Sequence, residues 1–419
     1  MRFHQRRFFA YPSGAPNLHT LSSVSSHSYT LVTTDRCVSI LGYGDGGYSL
    51  HKLEVAALRT GNADVVASAA IERSATRQPQ VAVAYALGDA LFLQVFIPQL
   101  ESLDSGEAAE ASSCGKFELA AAPTCMFSVQ ASGTSGDVFY GVMVCCTDSV
   151  MAFGYIEDEK EISTPGPAVV CSRLDNEQFA AFFPEFATYS HTILAVDVFM
   201  SPEKDEGWIA FGCADGLVRV FHGQIHERCL GGPFKTKDLQ LNGPVTSVAL
   251  FPKRTATSGE TDCMWCCNLL VSCAIGQAVV YEDLYGMFDG DVSGEVLMDS
   301  DTFDSIFAGI SADIDLDGDV ELLLGTDSQI MLAYKQGNED TPSPSESSLT
   351  QRKWQRLSRS HWDLETFGAI YSLLWRDVNH DGVPELLIAS STGIYVYEAD
   401  PVFVIEKLDR VLSALHTSS

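Results

Sequence analysis

The sequence predicts an all-β fold, a seven-bladed β-propeller of FG-GAP-like repeats with a short C-terminal helix, and three observations carry this. An acidic loop, Asp313-Ile-Asp315-Leu-Asp317-Gly318-Asp319-Val-Glu321, is nearly repeated 64 residues later as Asp377-Val-Asn379-His-Asp381-Gly382-Val-Pro-Glu385. Each loop runs into a short apolar segment, Leu322-Leu323-Leu324-Gly325 and Leu386-Leu387-Ile388-Ala389, which reads as a buried strand rather than a helix. Clusters of such β-type runs recur roughly every 45 to 65 residues, a spacing that calls for a repeat architecture.

The clusters follow in order. Residues 1–17 read as an N-terminal tail, and the propeller spans 18–399. Its blades are expected near 18–54, 62–98, 116–156, 180–222, 244–282, 304–335 and 367–398. Asp215-Gly216, set between two apolar runs, is a hairpin signal because glycine accepts the positive φ of a tight two-residue turn. In the last four clusters the third strand ends in an aromatic: Phe221, Tyr281, Tyr334 and Tyr397. Pairing between N- and C-terminal segments is expected to complete the last blade, leaving only short strand edges. The stretches 101–113 and 336–350, rich in Ser, Glu, Pro and Asp, read as disordered insertions between strands.

Residues 400–419 form an amphipathic helix and tail. Asp400 is the N-cap, Pro401 takes the first helical position, and Val404, Leu408, Val411, Leu412 and Leu415 share one face. That face either packs on the propeller or docks a partner, with Leu408 and Leu412 at its centre.

The acidic loops suit a hard cation. Oxygens at positions 1, 3, 5 and 9 converge in a tight loop turned by glycine at position 6. In the first loop Asp313, Asp315, Asp317 and Glu321 supply carboxylates, and Asp319 its backbone carbonyl. In the second, Asp377, Asn379, Asp381 and Glu385 take the corresponding places, and the neutral Asn379 amide weakens the attraction. Ca²⁺ fits better than Mg²⁺, which demands a stiffer octahedron and keeps more water. An EF-hand is excluded, since its twelfth position needs a bidentate Glu and holds Leu324 or Ile388 here. A cation in these loops is expected to rigidify the blade rather than act as a switch.

A net charge of −29 over 419 residues argues against nucleic acid and anionic lipid as partners. Eight acids with no intervening Lys or Arg lie between Glu282 and Asp304, among them Asp289, Asp291, Asp299 and Asp301. They form either a solvated loop or a surface for a basic partner. The 12 cysteines are scattered or adjacent inside apolar runs, and with no secretory signal pattern at the N-terminus they read as reduced thiols of a cytoplasmic protein. Cys263-Met-Trp-Cys266 lacks a second pair, and His222, His226 and Cys229 lack a fourth ligand, so zinc is not expected. No apolar run is long enough to cross a membrane. No Gly-x-Ser-x-Gly, P-loop or Rossmann fingerprint is present, so nothing points to an enzyme.

Between residues 180 and 335 the chain reads FFPEF, GCADGLVRVF, NGPVTSVALF, AVVYEDL and DTFDSIFAGISADIDLDGDVELLLGT in succession. This succession resembles the kaptin family, FG-GAP-type propeller subunits of the KICSTOR complex. The resemblance implies a non-enzymatic scaffold or adaptor whose partners are a second FG-GAP propeller protein and a large scaffold, with the GATOR complex engaged indirectly. It further implies restraint of TOR complex 1 when amino acids or glucose are scarce, and recruitment from the cytoplasm to the lysosomal surface. A second implied role is binding of actin filaments. An integrin-like adhesion domain is a distant third, opposed by the unpaired cysteines.

Overall fold

The computed structural model describes residues 3–11, 20–23, 29–44, 46–55, 58, 63–71, 79–99, 109–132, 137–158, 171–186, 189–201, 206–226, 229–230, 234–255, 264–288, 290, 293–337, 354–358, 364 and 367–418. The chain forms two compact units. The first comprises Met1–Ala10, Thr246–Arg376 and Gly382–Ser419; the second comprises Tyr11–Val245 and Asp377–Asp381.

Strand β1 (Phe3–Ala10) belongs to the first unit. The second unit then holds four antiparallel blades. One is β2 (Thr20–Ser23), β3 (Thr30–Thr33), β4 (Val38–Gly44) and β5 (Gly47–Glu54). The next is β6 (Ala63–Ile71), β7 (Gln80–Leu87), β8 (Ala90–Pro98) and β9 (Ala109–Leu119). The third is β10 (Pro123–Ser132), β11 (Asp137–Cys146), β12 (Val150–Asp158) and the two-residue β13 (Ser172–Arg173). Helix α1 (Asn176–Phe182) leads to the fourth: β14 (Ile193–Met200), β15 (Glu206–Cys213), β16 (Leu217–His226) and, after the short β17 (Cys229–Leu230), β18 (Lys235–Gln240).

The first unit holds three blades. One is β19 (Val245–Thr255), β20 (Met264–Cys273), β21 (Val279–Tyr281) and, past helix α2 (Leu284–Met287), β22 (Glu295–Val296). The next is β23 (Ile306–Ala312), β24 (Glu321–Thr326), β25 (Met331–Gln336) and β26 (Trp354–Arg356). The last is β27 (Ile370–Arg376), β28 (Glu385–Ser390) and β29 (Gly393–Ala399), completed by β1. Helix α3 (Pro401–Ser418) follows. Seven blades result, and the fold is a β-propeller with three helices among the described residues.

The second strand of a blade is buried on both faces, which is why β15, β24 and β28 are near-continuous apolar runs without alternation. Trp208 and Phe211 of β15 and Leu322, Leu323 and Leu324 of β24 are fully buried. The Asp215-Gly216 turn joins β15 to β16 as the sequence predicts. Gly216 has φ +85°, and a Cβ there would lie 2.4 Å from the Leu241 carbonyl oxygen, so no other residue fits.

Three boundaries differ from expectation. Residues 3–10, read as part of a tail, are the outer strand of the last blade, with Phe3 opposite Ala399 and Ala10 opposite Gly393. Phe3 is buried and packs edge-on against Trp375. Strand β9 begins inside the expected insertion at Ala109 and belongs to the second blade, where Phe117 pairs with Leu93, rather than opening the third. Six blades also carry a fourth, outer strand that the sequence did not announce, whereas the last is completed by an N-terminal segment as expected. Residues 100–108 and 338–353 lie outside the described residues.

Candidate functional site

The first acidic loop connects β23 to β24, and its backbone is shaped by its own acids. Asp313 accepts the Asp317 and Gly318 amides at 3.0 and 2.9 Å, and Asp317 accepts the Asp319 amide at 3.0 Å. Glu321 reaches back to the Ile314 amide at 2.9 Å. Leu316 and Gly318 hold positive φ, 55° and 92°, which tightens the loop. Carboxylate oxygens of Asp313, Asp315 and Asp317 come within 4.8 Å of one another, as a cation-binding loop requires. The exposed Asp319 stands at the loop's outer end.

A cation already stands there, and it belongs to the chain. The Lys335 ammonium lies 2.7 Å from Asp315, 2.6 Å from Asp317 and 2.6 Å from Glu321. Register places it: Leu322 of β24 pairs with Tyr334 of β25, so one step further Glu321 faces Lys335. Three carboxylates share one ammonium, and the electrostatics follow. Burial opposes ionisation of Lys335, but its three carboxylate partners outweigh this and push its pKa up. Burial likewise opposes ionisation of Asp317, yet Lys335 and the Asp319 amide hold its carboxyl below the usual range. Glu321 is fully buried, and that desolvation pushes it up to about 7 despite the ammonium. Burial also raises Asp313, which has only backbone donors to offset it.

The second loop is built differently. Asp377, Asn379 and Asp381 lie in the segment that groups with the second unit, whereas Glu385 opens β28 in the first, buried and paired in register with Arg376. Asn379 donates to the Tyr48 hydroxyl at 3.3 Å and accepts the Asp381 amide at 2.9 Å. His380 and Gly382 take the positive φ values of Leu316 and Gly318. The counterpart of Lys335 is an acid: Leu386 pairs with Tyr397, so one step along Glu385 faces Glu398. Arg6 of β1 answers it, with Nε 2.6 Å from the Glu398 carboxylate.

The acidic run between Glu282 and Asp304 is not one solvated loop. Glu282 accepts from the Trp354 indole at 3.3 Å and from Gln336, and lies 3.4 Å from Lys253. Asp283 caps α2 through the Gly286 amide, and Glu295 accepts the Trp354 amide at 2.8 Å. Asp299 and Asp301 are exposed, the latter accepting from Gln277 at 3.2 Å. Asp289 and Asp291 lie outside the described residues.

On α3, Asp400 accepts the Val402 amide at 2.9 Å, as an N-cap should. Val402, Ile405, Leu408 and Leu412 are 63%, 58%, 56% and 53% exposed. Their spacing of three to four residues forms one exposed stripe, which shares Leu408 and Leu412 with the expected face; Val404 is half-buried, and the side chains of Val411 and Leu415 lie outside the described residues.

The other described chemistry-bearing residues have structural occupations, and Cys263 lies outside the described residues. The His222 ring stacks on Trp208 with centroids 4.0 Å apart, and the side chains of His226 and Cys229 lie outside the described residues. The described cysteines are free thiols. Burial pushes Cys146, Cys213 and Cys273 up to about 11, which holds them as neutral thiols at neutral pH. No described helix is long and apolar enough to cross a membrane.

Comparison with known proteins adds to this geometry. The chain is 29% identical over 238 residues to the mouse (Mus musculus) KICSTOR complex protein kaptin, covering 56% of this chain and 50% of that protein. It therefore spans about half the length of the curated relative it matches. Among solved structures it is similar to BBS1N in complex with ARL6DN (TM-score 0.46, 12% identity, 95% and 97% of the two chains). It is also similar to the Myceliophteria thermophila Cps50 (Swd1) β-propeller domain (TM-score 0.44, 12% identity, 94% and 100%). The family model for KICSTOR complex protein kaptin matches residues 172–409, from β13 into α3 and through both acidic loops. That match takes in more than half of the sequence, and the chain belongs to the kaptin family.

Proposed function

We propose that this chain is a non-enzymatic scaffold subunit of a KICSTOR-like assembly, restraining TOR complex 1 under amino-acid or glucose limitation through protein–protein contacts. Its partners in this reading are a second FG-GAP-type propeller and a large scaffold protein, and through them the GATOR complex at the lysosomal surface. Family membership supports the assembly. The observation that carries the docking role is the exposed stripe of Val402, Ile405, Leu408 and Leu412 on α3. Each large aliphatic side chain left in water forgoes about 1.5–3 kcal/mol of burial, and a helix laid in a partner's groove recovers it.

Filament binding has weaker support. Actin is acidic, and of the basic residues suited to it Arg6 pairs with Glu398, Arg7 lies over Phe9 and the exposed Arg356 over Phe303 at 4.9 Å, while Arg352, Lys353 and Arg359 lie outside the described residues. In the cation reading, Ca²⁺ entering the first loop competes with Lys335 and stabilises the blade without switching it.

The test is purification of the chain from native cells, followed by kinetics against the recovered KICSTOR-like subunits. Leu408→Asp with Leu412→Asp speeds dissociation by about tenfold or more, as loss of a hot-spot cluster does. Asp299→Asn with Asp301→Asn slows association and flattens its salt dependence if the exposed acids steer the encounter. Recovery of actin and its regulators alone, or unchanged kinetics in both variants with the fold intact, overturns the reading.

A further inference from the structure

The second unit contains a cavity that neither the acidic loops nor α3 explain. It has a volume of about 270 Å³ and opens between β10, β14 and β16, with α1 and the residues after it as one wall. The wall is aromatic for a reason visible in the sequence. In Asn176-Glu-Gln-Phe-Ala-Ala-Phe182-Phe183-Pro-Glu185-Phe186, the capping box of Asp175 and Gln178 starts the helix and Pro184 lies just beyond its end. Phe183 and Phe186 then turn into the core, Phe186 stacked 6.0 Å from Phe221, while Phe182 stays half-exposed. Phe127 and Phe234 close the sides, and Val198 at the opening is 38% exposed.

Among the described residues one charged group lines this cavity, the Glu185 carboxylate. Among the described residues it has no cationic partner. The neighbouring guanidinium of Arg219 is already held by Asp238, with two contacts of 2.6 and 2.7 Å, and lies over Tyr189. Burial raises the Glu185 pKa, so the carboxylate is better placed with a cation than without one.

We propose that this cavity is a docking site for a peptide segment of a partner protein that inserts one aromatic or large aliphatic side chain beside a basic residue, whose cation meets Glu185. Size fits the occupant: about 270 Å³ of mostly apolar space accommodates a single anchoring side chain. Charge selects the neighbour, because a carboxylate with no cationic partner among the described residues, set among aromatic faces, attracts Lys or Arg through both ion pairing and cation–π contact. The protein's net charge of −29 favours approach of a basic segment. This site is separate from α3, so each can fail without the other.

Two cavity residues supply their own reporters. Met143 and Met200 line the pocket, and their ¹³C-labelled methyl groups read occupancy by NMR in the full chain. The probes are N-acetyl-Phe-Arg-amide, N-acetyl-Phe-Glu-amide and phenethylamine. The Phe-Arg probe shifts both methyl signals, saturably, at millimolar concentration, and the Phe-Glu probe binds several-fold more weakly. Glu185→Gln, a near-isosteric change at a half-exposed position, weakens the Phe-Arg probe by about fivefold and removes the preference. Val198→Asp at the opening weakens the apolar anchor in every probe. Equal shifts from the Arg and Glu probes, or none from either, overturn the proposal. Phenethylamine binding as tightly as Phe-Arg, with the same response to Glu185→Gln, overturns the peptide assignment in favour of a small amine.

Discussion

Replacing Lys335 with Met tests whether one ammonium organises the first acidic loop. The substitution keeps most of the aliphatic stem and deletes only the charge, leaving Asp315, Asp317 and Glu321 without the cation that lies 2.6–2.7 Å from each. Breaking a buried charge network by removing one partner costs about 3–5 kcal/mol. The Asp315 and Asp317 side chains are 33% and 34% exposed, so solvent screens their share, whereas Glu321 has no exposure and takes the full effect. A loss of about 3 kcal/mol at pH 8 follows, read from urea denaturation of the variant beside the parent. At pH 5.5, where Glu321 is protonated in both proteins, the loss shrinks to about half, since the one fully buried charge has gone and the two that remain are screened. Millimolar Ca²⁺ stabilises the variant more than the parent, because the ammonium no longer competes for the same oxygens. A variant within about 0.5 kcal/mol of the parent at pH 8 would refute the reasoning, since the loop would then owe its shape to backbone hydrogen bonds alone.

Three further outcomes follow from the same geometry. Glu321 titrates at about 7 when folded and near 4.5 when unfolded, so the folded state holds the extra proton between those values. Its contribution therefore falls by about 3 kcal/mol as pH rises through that window and is flat above it; Glu321→Gln removes the fall in a urea series from pH 4.5 to 8. Deleting residues 1–10 strips β1 from β29 and exposes a strand edge, so light scattering should show association of the truncated chain; a monodisperse truncation would contradict strand completion by β1. The Leu408→Asp, Leu412→Asp double variant, changed only at exposed positions, keeps its unfolding free energy within about 0.5 kcal/mol of the parent, and a larger loss would mean that the α3 face is packed.

The apolar inner strands of the blades were legible because burial writes itself into sequence. A strand covered on both faces must be apolar throughout, as Leu322-Leu323-Leu324 and Leu386-Leu387-Ile388 are, and the turns between them need residues that tolerate positive φ. The acidic loops, the α3 cap and the exposed Leu408 and Leu412 were legible for the same local reasons. The outer strands were not. β18 is Lys-Thr-Lys-Asp-Leu-Gln and β13 is Ser172-Arg173, edge segments whose side chains meet water and carry no apolar pattern. β1 hides its pairing behind Arg6 and Arg7, and only its partner, nearly four hundred residues away in sequence, makes it a strand. Lys335 shows the same division at atomic scale: its sequence neighbours mark it as the end of a strand, but the antiparallel register of β24 and β25 sets it opposite Glu321 and among three carboxylates. The aromatic cavity also depends on assembly, since Phe127, Phe186 and Phe234 come from separate elements. Local burial and turn chemistry are properties of neighbouring residues and can be read from the chain, whereas edge pairing, charge compensation and cavities are set by groups that meet only after folding.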